Sequence, residues 1–168
     1  STPRTSSSGR PSAYTRYTQA EETTAFLSHL DPLAPTMAVR IVGRTGSTPT
    51  VGEFDLYLCI LTEEGFDNPA QLDRDKPTVF MFASQHGDEQ SAKEAALQLI
   101  RDVAVGELQP LLAELNLLVM PQANPYGNLR DQRRNEQDLD MNRDHVKLEA
   151  PGVRAVHRVF REWMPEVT

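Results

Sequence analysis

A histidine and a glutamate stand three residues apart in the stretch Ser84-Gln85-His86-Gly87-Asp88-Glu89, after an apolar run and before a segment of helical periodicity. An imidazole nitrogen and a carboxylate oxygen are both good zinc donors, and two ligands on one tight turn need little extra ordering to face the same ion. Catalytic zinc sites commonly combine three protein ligands with a water, so His86 and Glu89 would be two of the three. The same residues also suit a plainer role, a helix-start cap beside a solvated side chain. Further along, "NPYGNLRDQRRNEQDLDMNRDH" (124–145) sets Arg130, Arg133, Arg134 and Arg143 among Asp131, Glu136, Asp138, Asp140 and Asp144. A guanidinium is a fixed fork for a carboxylate and a stabiliser of developing oxyanion charge, and Asn142 beside Arg143 could bind both oxygens of one carboxylate. The nearly balanced charges equally describe a surface loop whose ion pairs contribute about 0–1 kcal/mol each.

The elements that must position these residues are legible in the apolar pattern. Short runs rich in Val, Ile, Phe and Leu at 37–45, 53–62, 77–85 and 115–123 read as four strands. The first two alternate and are joined by the turn-rich "GSTPTVG", which predicts an antiparallel pair. The last two are almost continuously apolar, as doubly covered strands are, and Ala95, Ala96, Leu99, Ile100 and Val103 give the segment between them helical spacing. A helical crossover makes that pair parallel. His86 and Glu89 thus fall at a strand-end turn, where ligand sites gather outside the carboxyl ends of a mainly parallel sheet. Thr18 and Glu21 have capping-box spacing for a first helix ending near Pro32. A last helix starts at Pro151 and carries Val153, Val156, Phe160 and Trp163 on one face.

With 39% hydrophobic and 24% charged residues, the 168-residue chain has material for one ordinary core. Its formal charge of -7 does not favour a nucleic-acid backbone, and no apolar stretch reaches the roughly 20 residues that span a bilayer. The single Cys59 allows neither an intrachain disulfide nor a Cys-rich metal site, and reads as a buried apolar thiol. Residues 1–17 hold five Ser, two Pro and three Arg with little that is apolar, and read as a tail ahead of a domain over 18–168. The chain does not begin with Met. Cytoplasmic and exported locations both stay open, as does the oligomeric state.

His-x-x-Glu after a strand, Asn-Pro-x-Gly (Asn124, Pro125, Gly127) after the next, then Arg-Arg-Asn (133–135) and Asp-x-Asn-Arg (140–143), in this order, resemble the carboxypeptidase A-like zinc metallocarboxypeptidases. The wording of "QHGDE" and "DLDMNRD" is closer to the compact bacterial members. Tyr126 stands where the family usually has Asp. The resemblance runs from about Tyr17 to the last residue and implies a three-layer α/β/α sandwich with a mixed, partly parallel sheet, phosphorylase/hydrolase-like, of which only the first part is present.

It further implies that His86 and Glu89 bind Zn2+, and that Arg133, with Arg134 as the register alternative, stabilises the tetrahedral oxyanion. Asn142 and Arg143 would hold the terminal carboxylate of a peptide substrate, and Asp140 would accept a hydrogen bond from the second nitrogen of His86. The implied activity is zinc-dependent hydrolysis at a C-terminal residue, the metal polarising the attacking water and the carbonyl. The family's third zinc ligand, on a strand following the last helix, and its general-base Glu fall beyond "WMPEVT", so the chain alone is expected to be inactive. Neither His145 nor His157 has a spacing that aims it at His86 and Glu89, and both read as surface or packing residues. Two alternatives share the carboxylate clamp: a zinc amidohydrolase acting on peptidoglycan stem peptides or acyl-amino acids, and a non-catalytic module that binds peptide C-termini.

Overall fold

The computed structural model describes residues 16–168. A four-stranded sheet has the order β1-β2-β4-β3, with β1 at Met37–Arg44, β2 at Asp55–Leu61, β3 at Thr78–Phe82 and β4 at Asn116–Met120. β1 and β2 pair antiparallel, β2 and β4 antiparallel, and β3 and β4 parallel. The antiparallel hairpin and the parallel pair are those expected from the alternating and the continuous apolar runs. The sheet is therefore mixed.

Side-chain alternation divides the core into two. Leu56, Leu58 and Ile60 of β2 and Leu118 and Met120 of β4 pack with Val153, Val156, Val159 and Trp163 of the last helix, α4 (Pro151–Trp163). The intervening Cys59, Leu61, Leu117 and Val119 face the other way. There they meet Leu27 and Leu30 of α1 (Ala20–Leu30) and Leu97, Ile100 and Val103 of α2 (Gln90–Ala104). A period of two along the strands sends neighbouring residues to opposite faces, and both faces are covered by helices. The result is the α/β/α layering.

The first helix differs from expectation at its start. The capping box lies one residue later, between Gln19 and Glu22, rather than between Thr18 and Glu21. Thr18 is drawn away because its N–H and hydroxyl both donate to Glu94 of α2, at 2.6 and 2.9 Å. Buried Lys93, next along α2, donates to the Thr18 carbonyl and, at 2.9 Å, to Gln90 Oε1. A long-range contact thus overrides a local cap. Most of the expected tail, residues 1–15, lies outside the described residues; Arg16 forms an ion pair with Glu22.

β3 has a sheet neighbour on one side, β4. Along its other side runs the end of the chain: Val79 and Val167 form a parallel bridge, and Phe80 N–H donates to the Val167 carbonyl at 2.8 Å.

Candidate active site

The turn between β3 and α2 carries His86 and Glu89, and a short helix after β4, α3 (Pro125–Arg130), supports it from below. Asn124 caps α3 by accepting from Gly127 N–H at 2.9 Å, and Pro125 fills a position where no N–H is needed. Gly87 and Gly127 let the two segments touch backbone to backbone. A Cβ on Gly87 would lie 2.0 Å from the Gly127 carbonyl carbon.

His86 is buried, and both its ring nitrogens face carboxylates. Nδ1 lies 3.0 Å from Glu89 Oε1 and Nε2 lies 3.1 Å from Asp140 Oδ1. A neutral imidazole carries one N–H and satisfies one of these contacts; a cation between Nδ1 and Glu89 satisfies the other. The donor separation also suits a metal, since two ligand atoms each about 2.1 Å from one tetrahedral zinc stand roughly 3.4 Å apart. The geometry therefore fits zinc held by His86 and Glu89, with Asp140 fixing the tautomer behind the ring. Among the described residues no three His, Cys, Asp or Glu side chains gather as a ligand set.

Asp140 opens the turn Met141–Arg143 and accepts from Asn142 N–H at 3.0 Å and from Arg133 Nε at 3.0 Å, besides facing His86. Burial pushes its carboxyl up, but the hydrogen bonds from Arg133, His86 and the Asn142 N–H together outweigh that and hold it below the usual carboxylate range. With Nε anchored, Arg133 keeps its terminal nitrogens near the histidine and glutamate; Nη1 is 3.8 Å from Glu89 Oε1. Arg134 turns elsewhere, its Nη1 donating to the Asp138 carbonyl at 2.7 Å. Of the two register alternatives, Arg133 is the one the fold brings to His86 and Glu89. Asn142 and Arg143 are exposed within the Met141–Arg143 turn, and Arg143 Nη1 lies 3.5 Å from the Asn142 carbonyl.

Two groupings escaped the sequence reading. His145 and His157, treated there as separate side chains, meet with Nδ1 and Nε2 3.1 Å apart, and His145 Nε2 donates to Gln85 Oε1 at 2.8 Å. Buried Ser84, Gln122 and Asn128 form a polar cluster beneath the turn. Neither has a local spacing signal, because each joins residues from separate elements.

The model of the zinc carboxypeptidase family matches residues 14–158. Carboxypeptidase 2 of Trichophyton tonsurans is 31% identical over 94 residues, covering 55% of this chain and 18% of its own length. Carboxypeptidase 2 of Trichophyton rubrum is 30% identical over 103 residues, 60% of this chain and 19% of its own. In structure, thrombin-activatable fibrinolysis inhibitor superposes with a TM-score of 0.76 at 18% identity, over 99% of this chain and 48% of that one. A metallo-carboxypeptidase from Burkholderia cenocepacia does so with 0.67 at 24%, over 84% and 37%. These structural likenesses show the fold, and the chain spans under a fifth of the length of the curated relatives it matches. On the family match across most of its length, the chain belongs to the zinc carboxypeptidase family.

Proposed function

We propose that the protein carrying this chain is a zinc-dependent carboxypeptidase that removes C-terminal residues from peptides, and that residues 18–168 are the N-terminal portion of its catalytic domain. The observation that carries this reading is the convergence on His86 of Glu89 at one ring nitrogen and Asp140 at the other, with Arg133 bridging the two carboxylates. Family membership supports the reaction class.

His86 and Glu89 hold the metal, and Asp140 keeps the His86 proton on Nε2 so that Nδ1 offers its lone pair. A bound zinc supplies Lewis-acid polarisation of the peptide carbonyl and of the attacking water. Arg133, tethered through Nε to Asp140, directs its remaining N–H groups at the oxygen on which charge develops. Asn142 and Arg143 bind the terminal carboxylate and so select the end of a peptide over its interior. The third ligand and the general base come from outside these residues. The chain on its own therefore hydrolyses little or nothing.

The test is metal removal from the full-length protein. Dialysis against a chelator should abolish hydrolysis of blocked dipeptides, and one equivalent of zinc should restore it. Full activity in the metal-free protein would refute the reading. In the zinc-loaded protein, Arg133→Ala should lower kcat by about 100- to 1,000-fold. Arg143→Ala should act mainly through KM.

A further inference from the structure

The turn that presents His86 and Glu89 is poorly held by its own backbone. Within it the Glu89 N–H reaches the His86 carbonyl at 3.3 Å, and from outside it the Arg133 carbonyl accepts from the Gly87 N–H at 3.4 Å. Glu89, at the start of α2, has no side-chain cap bond. Ser84, entering the turn, sits at φ 57, a conformation that L residues other than Asn and Asp seldom adopt. Something outside the turn must fix it.

That support is Asn128, buried on α3. Its Nδ2 donates to the Gly87 carbonyl at 2.7 Å and to Ser84 Oγ at 2.7 Å, using both amide hydrogens. Its Oδ1 accepts from Gln122 Nε2 at 2.7 Å, and Ser84 Oγ lies 3.1 Å away. Its carbonyl accepts from Gln90, the first residue of α2, at 3.2 Å. The amide can stand only one way round, since the reverse would set oxygen against the Gly87 carbonyl. One side chain thus ties the exit of β3, the exit of β4 and the carbonyl between His86 and Glu89, while its own backbone ties the start of α2.

We propose that Asn128, acting with Ser84, is a positioning residue for the metal ligands: it sets the separation of His86 and Glu89 and touches neither metal nor substrate. The proposal rests on the zinc reading above. Asn128→Asp keeps the shape and removes both donors, turning the Gly87 carbonyl against a carboxylate. Ser84→Gly removes the hydroxyl while giving the φ 57 position the residue that suits it.

Both variants are made in the full-length protein, and zinc dissociation constants are measured by competition with a chromophoric chelator. The visible absorption of the cobalt-substituted proteins is recorded alongside, because it reports ligand geometry and does not respond to overall stability. Asn128→Asp should weaken zinc by about 10- to 100-fold, the range for loss of a residue supporting a ligand, and shift the cobalt bands. Ser84→Gly should move both in the same direction by less. A wild-type constant and an unshifted cobalt spectrum in a folded Asn128→Asp protein would overturn the proposal. If that variant does not fold, the same result in Ser84→Gly would do so. Wild-type protein that binds no zinc would sink the zinc reading and this one together; zinc-binding wild type with unaltered variants would sink this one alone.

Discussion

At Asp140 one carboxylate serves three partners, a histidine ring, a guanidinium and a backbone N–H, all within 3.1 Å. Removing it frees the His86 ring and releases Arg133. Asp140→Ala should weaken zinc about 10- to 100-fold in a chelator competition. Unchanged affinity would mean that the ring is held by other means. Gly87→Ala is a harsher change, because its Cβ meets Gly127 backbone atoms at 2.0 and 2.3 Å and neither segment has a flexible end to give way. A loss of more than about 2 kcal/mol in urea unfolding is expected. The approach of His86 to Glu89 was readable in the sequence because the two share one turn. Asn128 was not, because its partner Ser84 is separated by 44 residues and only the approach of α3 to the end of β3 joins them.

Among the elements, the strands were readable as short apolar runs, alternating for β1 and β2 and nearly continuous for β3 and β4, and α4 from its proline start and its apolar face. The start of α1 was misread by one residue because Thr18 prefers Glu94 across the fold to Glu21 beside it. The contact of α4 with the loop before it yields a pH prediction. Burial, then the neighbouring charges of His145 and Arg161, hold the His157 ring below its ordinary value of 6.5, with Asp144 opposing. Well above 6.5 the ring is neutral in both folded and unfolded chains and adds no pH dependence. As the pH falls below that value the unfolded chain takes up the proton first, so stability declines until the folded ring titrates too. The thermal midpoint should therefore drop on acidification through this window, and His157→Gln should flatten the drop. An equal slope in the variant would remove His157 as its source.

For the whole molecule, the edge of β3 away from β4 is covered among the described residues by the chain end only along Thr78–Phe80. Met81 is 44% exposed, and Met81, Phe82 and Ala83 line an apolar groove of about 360 Å³ with Val119 of β4 and Ala92, Ala95 and Leu99 of α2. A strand edge covered over only part of its length, beside apolar surface, invites association. The 168-residue chain alone should self-associate with rising concentration and bind an apolar dye, whereas the full-length protein should do neither. A monodisperse monomer that binds no dye would show that β3 needs no further cover.

On the proposed reading, a zinc pair, an oxyanion arginine and a carboxylate clamp stand together at one end of the sheet for work on peptide C-termini. That reading stands or falls on kcat/KM of the zinc-loaded full-length protein for a blocked dipeptide with a free C-terminal carboxylate against the same dipeptide as its amide. Chelator-sensitive hydrolysis of the acid is expected, with at least about a hundredfold less of the amide, a difference of roughly 2.7 kcal/mol in transition-state binding. Equal turnover of the two, or no turnover of the acid by protein holding one zinc per chain, would contradict it.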